Sequence, residues 1–402
     1  MIAVLKVLVT LILIVVLLQR KISIGNSMLA GASLLFIMCS PQWITLQLVG
    51  KGLLLSSSTW EILLALYLVM CLEYQLRTNG IIDGLMEAAR VVLKSDKVLL
   101  ALMPAFLGFL PSLGGAIFSA PLVESAGKQY NLSPERKTAI NYWFRHLWEC
   151  TNPIIPALLL ASEIAQVPIG SLIAHMIWVS AFCFLIGWFY YISPLKSQGE
   201  AQTSNSALPS QRNNYWYIFM AAGPIVANFI LVVGFGFGPA VSMLLAVVTM
   251  TLLLRQVPKN MMGMLKHAFD GKLLWGVVGI LFFQYMLKET GIIADVALVL
   301  QNSGIPMMFV IGAIGLLAGI LTGTSQGFVA ITFPLVAAIS TGNITMAVVA
   351  YVAGFAGQMM SPAHLCFLVT LDYFKADFLK AMKSIILLAV VLLLALSIVT
   401  VF

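Results

Sequence analysis

Leu110-Pro-Ser-Leu-Gly-Gly-Ala116 and Leu321-Thr-Gly-Thr-Ser-Gln-Gly327 are the two stretches that decide how this chain folds. Each is a Gly-rich polar break between apolar helical arms, and each keeps the same company. Asn79-Gly-Ile-Ile82 recurs as Thr290-Gly-Ile-Ile293, Pro121-Leu-Val123 as Pro334-Leu-Val336, and Thr151-Asn152-Pro153 as Met360-Ser361-Pro362. The three matches keep their order at a spacing of roughly 210 residues, which reads as internal duplication. Interrupted helices at corresponding positions of two membrane halves are the sequence mark of a secondary transporter's binding site.

Composition fixes the solvent. With 61% hydrophobic and 9% charged residues and a mean hydropathy of +1.01, the chain lies far from the roughly 25% charged residues of soluble domains. It reads as an all-α integral membrane protein with ten apolar stretches long enough to cross a bilayer, about 20 residues each. They are Ala3–Gln19, Ile22–Cys39, Thr59–Leu76, Thr138–Leu160, Val167–Tyr190, Tyr215–Val233, Phe237–Leu254, Leu273–Leu287, Ile344–Leu371 and Ser384–Phe402. The first has Arg20-Lys21 behind it and no small-residue cleavage site, so it reads as a retained anchor. The five cysteines form no C-x-x-C pair, and their spacing suggests neither disulfides nor a zinc site.

Two segments are too short to cross and read as re-entrant hairpins. The first runs over 98–123, with its tip at Pro111–Gly115; the second runs over 306–338, with its tip at Thr322–Gly327. Non-helical backbone at membrane depth is tolerated only inside protein or beside a watery cavity. With the N-terminus outside, only Lys6, Lys51 and Lys288 of the 22 Lys and Arg fall outside and Arg145 within a span; all others fall on one side, which the positive-inside rule makes cytoplasmic. The first hairpin then lies at the cytoplasmic side, beside Lys97 and the Lys128, Arg136, Lys137 cluster. The second lies outside, in a stretch from Glu289 to Phe374 without Lys or Arg. The expected architecture is two inverted-topology repeats, each of five transmembrane helices plus one re-entrant hairpin: 1–192 and 215–402, joined by a cytoplasmic linker, 193–214. Both termini are outside the cytoplasmic (inner) membrane. The basic balance is explained by orientation and calls for no nucleic acid.

Two spans carry the remaining polarity. Thr138–Leu160 holds Tyr142, Arg145, His146, Glu149, Thr151, Asn152 and Pro153; Ile344–Leu371 holds Tyr351, Gln358, Ser361, Pro362 and His364. Each proline removes a donor and collides with the turn before it, freeing carbonyls near residues 149 and 358. Such carbonyls can hold a cation, and the half-helix N-terminus after each proline can face an anion. The blander readings are an i, i+4 ion pair between Arg145 and Glu149, and satisfied core histidines at His146 and His364. An intramembrane arginine costs roughly 2.5–3.5 kcal/mol on insertion scales, so ionisable groups here are functional by default. Gly323-Thr-Ser-Gln-Gly327 matches G-x-S-x-G, but the hydrolase elbow needs a strand before it, and an apolar helical arm stands there instead.

These paired tips, with Thr151-Asn152-Pro153 and Ser361-Pro362-Ala363-His364, resemble a ten-span family of bacterial and archaeal membrane proteins, the domain of unknown function numbered four hundred and one. That family is placed in the ion transporter superfamily, beside carriers of citrate, gluconate and dicarboxylates. The resemblance covers essentially the whole chain. It implies a mobile transport domain built from hairpins and broken helices, a homodimeric scaffold and an elevator-type motion. In the dicarboxylate carriers, Ser-Asn-Thr triplets at the tips bind sodium and carboxylate; the nearest matches here are Thr324-Ser325-Gln326 and Thr151-Asn152, while Ser112-Leu113-Gly114 lacks the amide.

The function expected from the sequence is secondary active transport of a small organic anion, coupled to a proton or sodium ion, with no other cofactor and no enzymatic activity. The expected site comprises Ser112, Gly114, Gly115, Arg145, His146, Glu149, Thr151, Asn152, Pro153, Thr322, Gly323, Thr324, Ser325, Gln326, Gln358, Ser361, Pro362 and His364. Arg145 is the anion contact, Glu149 or His146 is the proton carrier, and a sodium ion would sit among Ser112, Asn152, Thr324, Ser325 and Ser361. The alternatives are a lipid or polyprenyl-phosphate carrier of the same fold, and an intramembrane enzyme.

Overall fold

The computed structural model describes residues 2–39, 42–93, 95–109, 115–196, 211–301 and 304–401. Among them there is no strand; they form helices joined by short connections. The first half comprises α1 (Ile2–Gln19), α2 (Ile24–Met38), α3 (Trp43–Leu55), α4 (Ser57–Thr78), α5 (Ile81–Val92), α6 (Asp96–Gly108), α7 (Gly115–Gly127), α8 (Pro134–Arg145), α9 (Pro156–Ala165) and α10 (Ile169–Gly187, continued by a π turn to Ile192). The second half comprises α11 (Gln211–Phe229, continued by a π turn to Gly234), α12 (Pro239–Leu253), α13 (Pro258–His267), α14 (Gly271–Glu289), α15 (Ile292–Gln301), α16 (Met307–Thr322), α17 (Ser325–Ser340), α18 (Ile344–Met359), α19 (Leu365–Phe374) and α20 (Phe378–Val401). Among the described residues, five helical stretches are long and apolar enough to cross a bilayer unaided: Ile2–Gln19, Ser57–Thr78, Ile169–Ile192, Asn214–Gly234 and Phe378–Thr400. The protein is a multi-pass helical membrane protein.

The helix ends follow local chemistry. Ser133, Asp270 and Asn343 each accept a hydrogen bond from a first-turn N–H of α8, α14 and α18, satisfying donors that a helix start leaves bare. Left-handed residues close helices at parallel places in the two halves: Lys21 and Gly236 after α1 and α11, Gly80 and Gly291 after α4 and α14, Gln166 and Lys375 after α9 and α19. Packing is parallel too. α2 lies on α14 and α4 on α12; α6 packs on α7 and α8 as α16 packs on α17 and α18.

The structure departs from the sequence reading at three places. Four further helices appear, α3, α5, α13 and α15, of 13, 12, 10 and 10 residues; a search for runs of about 20 apolar residues passes over them. The second hairpin's tip is shorter than expected. Ser325, Gln326 and Gly327 are already helical because the Thr324 hydroxyl accepts from Gly327 N at 3.1 Å and caps α17. The first broken helix opens earlier than its proline demands: α8 stops at Arg145 and α9 resumes at Pro156. The expected first tip, with Ser112 and Gly114, lies outside the described residues, as does 197–210 of the linker; Gly115 begins α7.

α16 and α18 meet backbone to backbone. A Cβ on Gly319 would run into the Gly354 carbonyl and, at 2.6 Å, the Gln358 nitrogen; one on Gly357 would run into the Leu316 carbonyl. In lipid, where apolar side chains gain little by leaving their solvent, close approach over small residues is what joins helices. Gly319→Val should therefore cost at least the 1–3 kcal/mol typical of overpacking, roughly, read as a lower unfolding temperature and loss of the monodisperse peak in detergent. Gly223→Ala, whose added Cβ would meet only Phe219 ring atoms at 3.8 Å or beyond, should leave both unchanged.

Candidate functional site

The non-helical segment between α8 and α9 fastens the first hairpin. Its Trp148 indole donates to Ala105 O at 2.9 Å, the Arg145 guanidinium to Leu107 O at 3.1 Å, and the Asn152 amide to Phe109 O at 2.8 Å. These carbonyls close α6, where a helix end leaves acceptors without intrahelical donors. The Asn152 amide oxygen also accepts from Ile154 N at 3.3 Å. Ser361 does the same work in the other half: its hydroxyl donates to Ile320 O of α16 at 2.6 Å and accepts from Ala363 N at 3.2 Å. Gly323, at φ +62° in the left-handed region, lies so close to this second break that a Cβ would sit 2.9 Å from Ala363 C, His364 N and Ser361 Oγ.

Each break then receives a tyrosine from the other half. Tyr351 of α18 donates to Glu149 O at 3.1 Å; Tyr142 of α8 donates to Met359 O at 3.3 Å and lies 3.5 Å from Gln358 O. Both tyrosines are fully buried. The two breaks also meet through their side chains. His146 Nε2 and His364 Nε2 are 3.1 Å apart, and the Glu149 carboxyl lies against Ser325 and Gln358. Hairpin ends and broken helices from both halves thus converge on one place.

A cavity of about 700 Å3 opens there. One wall is Arg145, His146, Glu149, Gly323, Thr324, Ser325, Gln326, Gln358 and His364, all expected from the sequence; the facing wall comes from α2, α4 and α14, including Glu73, Arg77 and Lys272. Thr151, Asn152, Pro153, Thr322, Ser361 and Pro362 are not in its lining. Thr151 pairs with Ser180 of α10 at 2.8 Å, and the Thr322 hydroxyl bonds back to Ala318 O at 2.8 Å. Because α8 ends at Arg145, Arg145 and Glu149 do not share a helix face as expected, but the two charges still act on each other.

Not expected in the site were Cys366, Lys272 and the Glu73–Arg77 pair, whose charged atoms are 3.9 Å apart. The available signal for Cys366 was its place two residues after His364; nothing local marked Lys272. A second cavity of about 460 Å3 between α4, α9, α10 and residues 236–239 holds Glu61 and Glu163 and, among the described residues, shares no lining with the first.

A multi-pass helical protein whose main chain breaks at two places around an ionisable internal cavity is the class that fold and geometry define. Within it, the chain belongs to the family described as Protein of unknown function (DUF401), which matches residues 1–402. No curated protein matches. Among solved structures it is similar to the Alcanivorax borkumensis YdaH transporter, at 14% identity and a TM-score of 0.60 over 89% of this chain and 87% of that one.

Removing either tyrosine hydroxyl should leave a buried carbonyl without its donor, at about 1–3 kcal/mol. Tyr142→Phe and Tyr351→Phe should each lower the unfolding temperature in detergent while the exposed Tyr190→Phe does not. Equal melting of all three would show that the exchange does not hold the breaks together.

Proposed function

We propose that this protein is a secondary active transporter of a small organic anion, built as two inverted-topology repeats and coupled to a proton. The observation that carries the proposal is the convergence of two main-chain breaks and two hairpin ends on one cavity lined by Arg145, Glu149 and Ser325. Interrupted helices are how a transporter presents unpaired backbone to its cargo. The likeness to the YdaH transporter is of fold, and it supports the same reading. So do the parallel left-handed helix ends and the reciprocal tyrosines, which fit a duplicated, inverted plan.

In this reading the anion's carboxylate pairs with Arg145, whose planar fork suits bidentate contact, and Ser325 and Gln326 at the start of α17 supply further donors. Glu149 carries the proton. Sodium is the weaker coupling ion, since Asn152, Thr324 and Ser361 already accept bonds from backbone N–H groups. The hairpins and broken helices move as one body against α2, α4 and α14 in an elevator-type motion, within a homodimer. The lysine- and arginine-rich side faces the cytoplasm across the inner membrane, both termini face out, and the kinship is with the ion transporter superfamily.

A thermal-shift screen of small carboxylates, with and without sodium, supplies the substrate; uptake into proteoliposomes then tests the site. Ser325→Ala and Asn152→Ala should each reduce uptake about tenfold, the equivalent of about 1.4 kcal/mol. Glu149→Gln should abolish accumulation driven by a pH gradient while keeping substrate exchange. Uptake that ignores pH and requires sodium rejects the proton; uptake unchanged in all three variants rejects the site.

A further inference from the structure

His146, His364 and Cys366 form a cluster that the transport reading does not use. His146 is the first residue beyond α8, His364 the cap of α19, and Cys366 lies in that helix's first turn. The break pair therefore brings His146 of the first half to His364 and Cys366 of the second, more than 200 residues on. Their ligand atoms all lie within 4.8 Å of one another, and all three residues face the main cavity.

The nitrogen chemistry says what belongs between them. His146 Nδ1 is 2.7 Å from Tyr142 O. Only an N–H is stable against a carbonyl at that distance, so Nε2 carries the lone pair and points at His364. This is the arrangement of a metal-bound imidazole, whose remote N–H is fixed by a backbone carbonyl. His364 aims its own Nε2 at the same point, 3.1 Å away. If His364 donated that proton to His146, its Nδ1 would be left as a bare acceptor. Both rings are only 6% exposed, and apart from the adjoining Gly323 main chain His364 Nδ1 has no hydrogen-bond partner among the described residues. A cation between the two Nε2 atoms resolves the conflict: both lone pairs point at it, and His364 Nδ1 carries its proton towards Gly323. Two imidazoles on one tetrahedral zinc stand roughly 3.3 Å apart, close to the spacing found.

We propose that His146, His364 and Cys366 bind a borderline-soft divalent metal ion of the zinc class, with three protein ligands and a fourth position open to the cavity. Two nitrogens and a sulfur select such an ion over magnesium or calcium. On binding, the thiol proton leaves to water in the cavity and the sulfur–metal bond forms. Arg145 beside Cys366 and Glu149 contribute opposite charges, so neither dominates the site. The proposal does not depend on transport.

The test uses the full chain in detergent, stripped with a chelator and titrated with Co2+ alone. One equivalent should bind with a near-ultraviolet thiolate-to-cobalt band, and Zn2+ should displace it. Cys366→Ser should remove the band, His146→Gln and His364→Gln should weaken binding tenfold or more, and Cys71→Ala should change nothing. In the unmutated protein, Zn2+ should slow alkylation of Cys366 but not of Cys39, so the outcome does not depend on variants that fail to fold. No thiolate band, a band that survives Cys366→Ser, or unchanged alkylation of Cys366 overturns the proposal and leaves a hydrogen-bonded histidine pair.

Discussion

Every carbonyl freed by breaking a helix inside a membrane needs a donor, because lipid offers none. The protein meets this demand by exchange. Tyr351 serves the first break and Tyr142 the second, each reaching across from the opposite half. Asn152 and Ser361 then tie each break to the hairpin of its own half. The breaks are therefore held in register by the bonds that satisfy them.

The same constraint explains why α16 and α18 need glycine. With Ser361 bonded to Ile320 O and Gly323 lodged against residues 361–364, the two helices have to approach until backbone touches backbone. Gly319 and Gly357 permit that approach, and Val or Leu at either place would push the tip away from the break. Packing and polar satisfaction act here as one device: the glycines set the distance, and the hydroxyl and amide bonds use it.

Much of this was legible in the sequence because polar residues inside apolar spans are costly and few. Arg145, His146, Glu149, Gln358 and His364 were visible as exceptions to composition, and all of them line the cavity. Pro153 and Pro362 marked the breaks, but not the length of the first one. That depends on Arg145 and Trp148 taking α6 carbonyls instead of continuing α8, a tertiary matter no local pattern records. The facing wall was illegible for a related reason. Lys272 sits in the first turn of α14 and Glu73 stands i, i+4 from Arg77 within α4, so both charges look ordinary locally, and only the packing of α2, α4 and α14 turns them towards the cavity. Cys366 was hidden by its chemistry, since a cysteine in an apolar helix looks like any other small core residue.

Comparing the matching positions of the halves separates frame from chemistry. Tyr142 matches Tyr351, Pro153 matches Pro362, and Asn152 and Ser361 make equivalent bonds; these residues organise the main chain. The ionisable groups do not match. Arg145, His146 and Glu149 stand where the second half has Gly354, Phe355 and Gln358, while His364 and Cys366 stand where the first half has Ile155 and Ala157. A strictly symmetric pair of breaks would bring like groups together at its centre: two carboxylates, or two guanidinium groups, repelling at close range with little water to screen them. Divergence removes that conflict. It places Glu149 against Gln358 and Arg145 beside Cys366, so that a plan which fits a duplicated main chain encloses a site whose two sides differ.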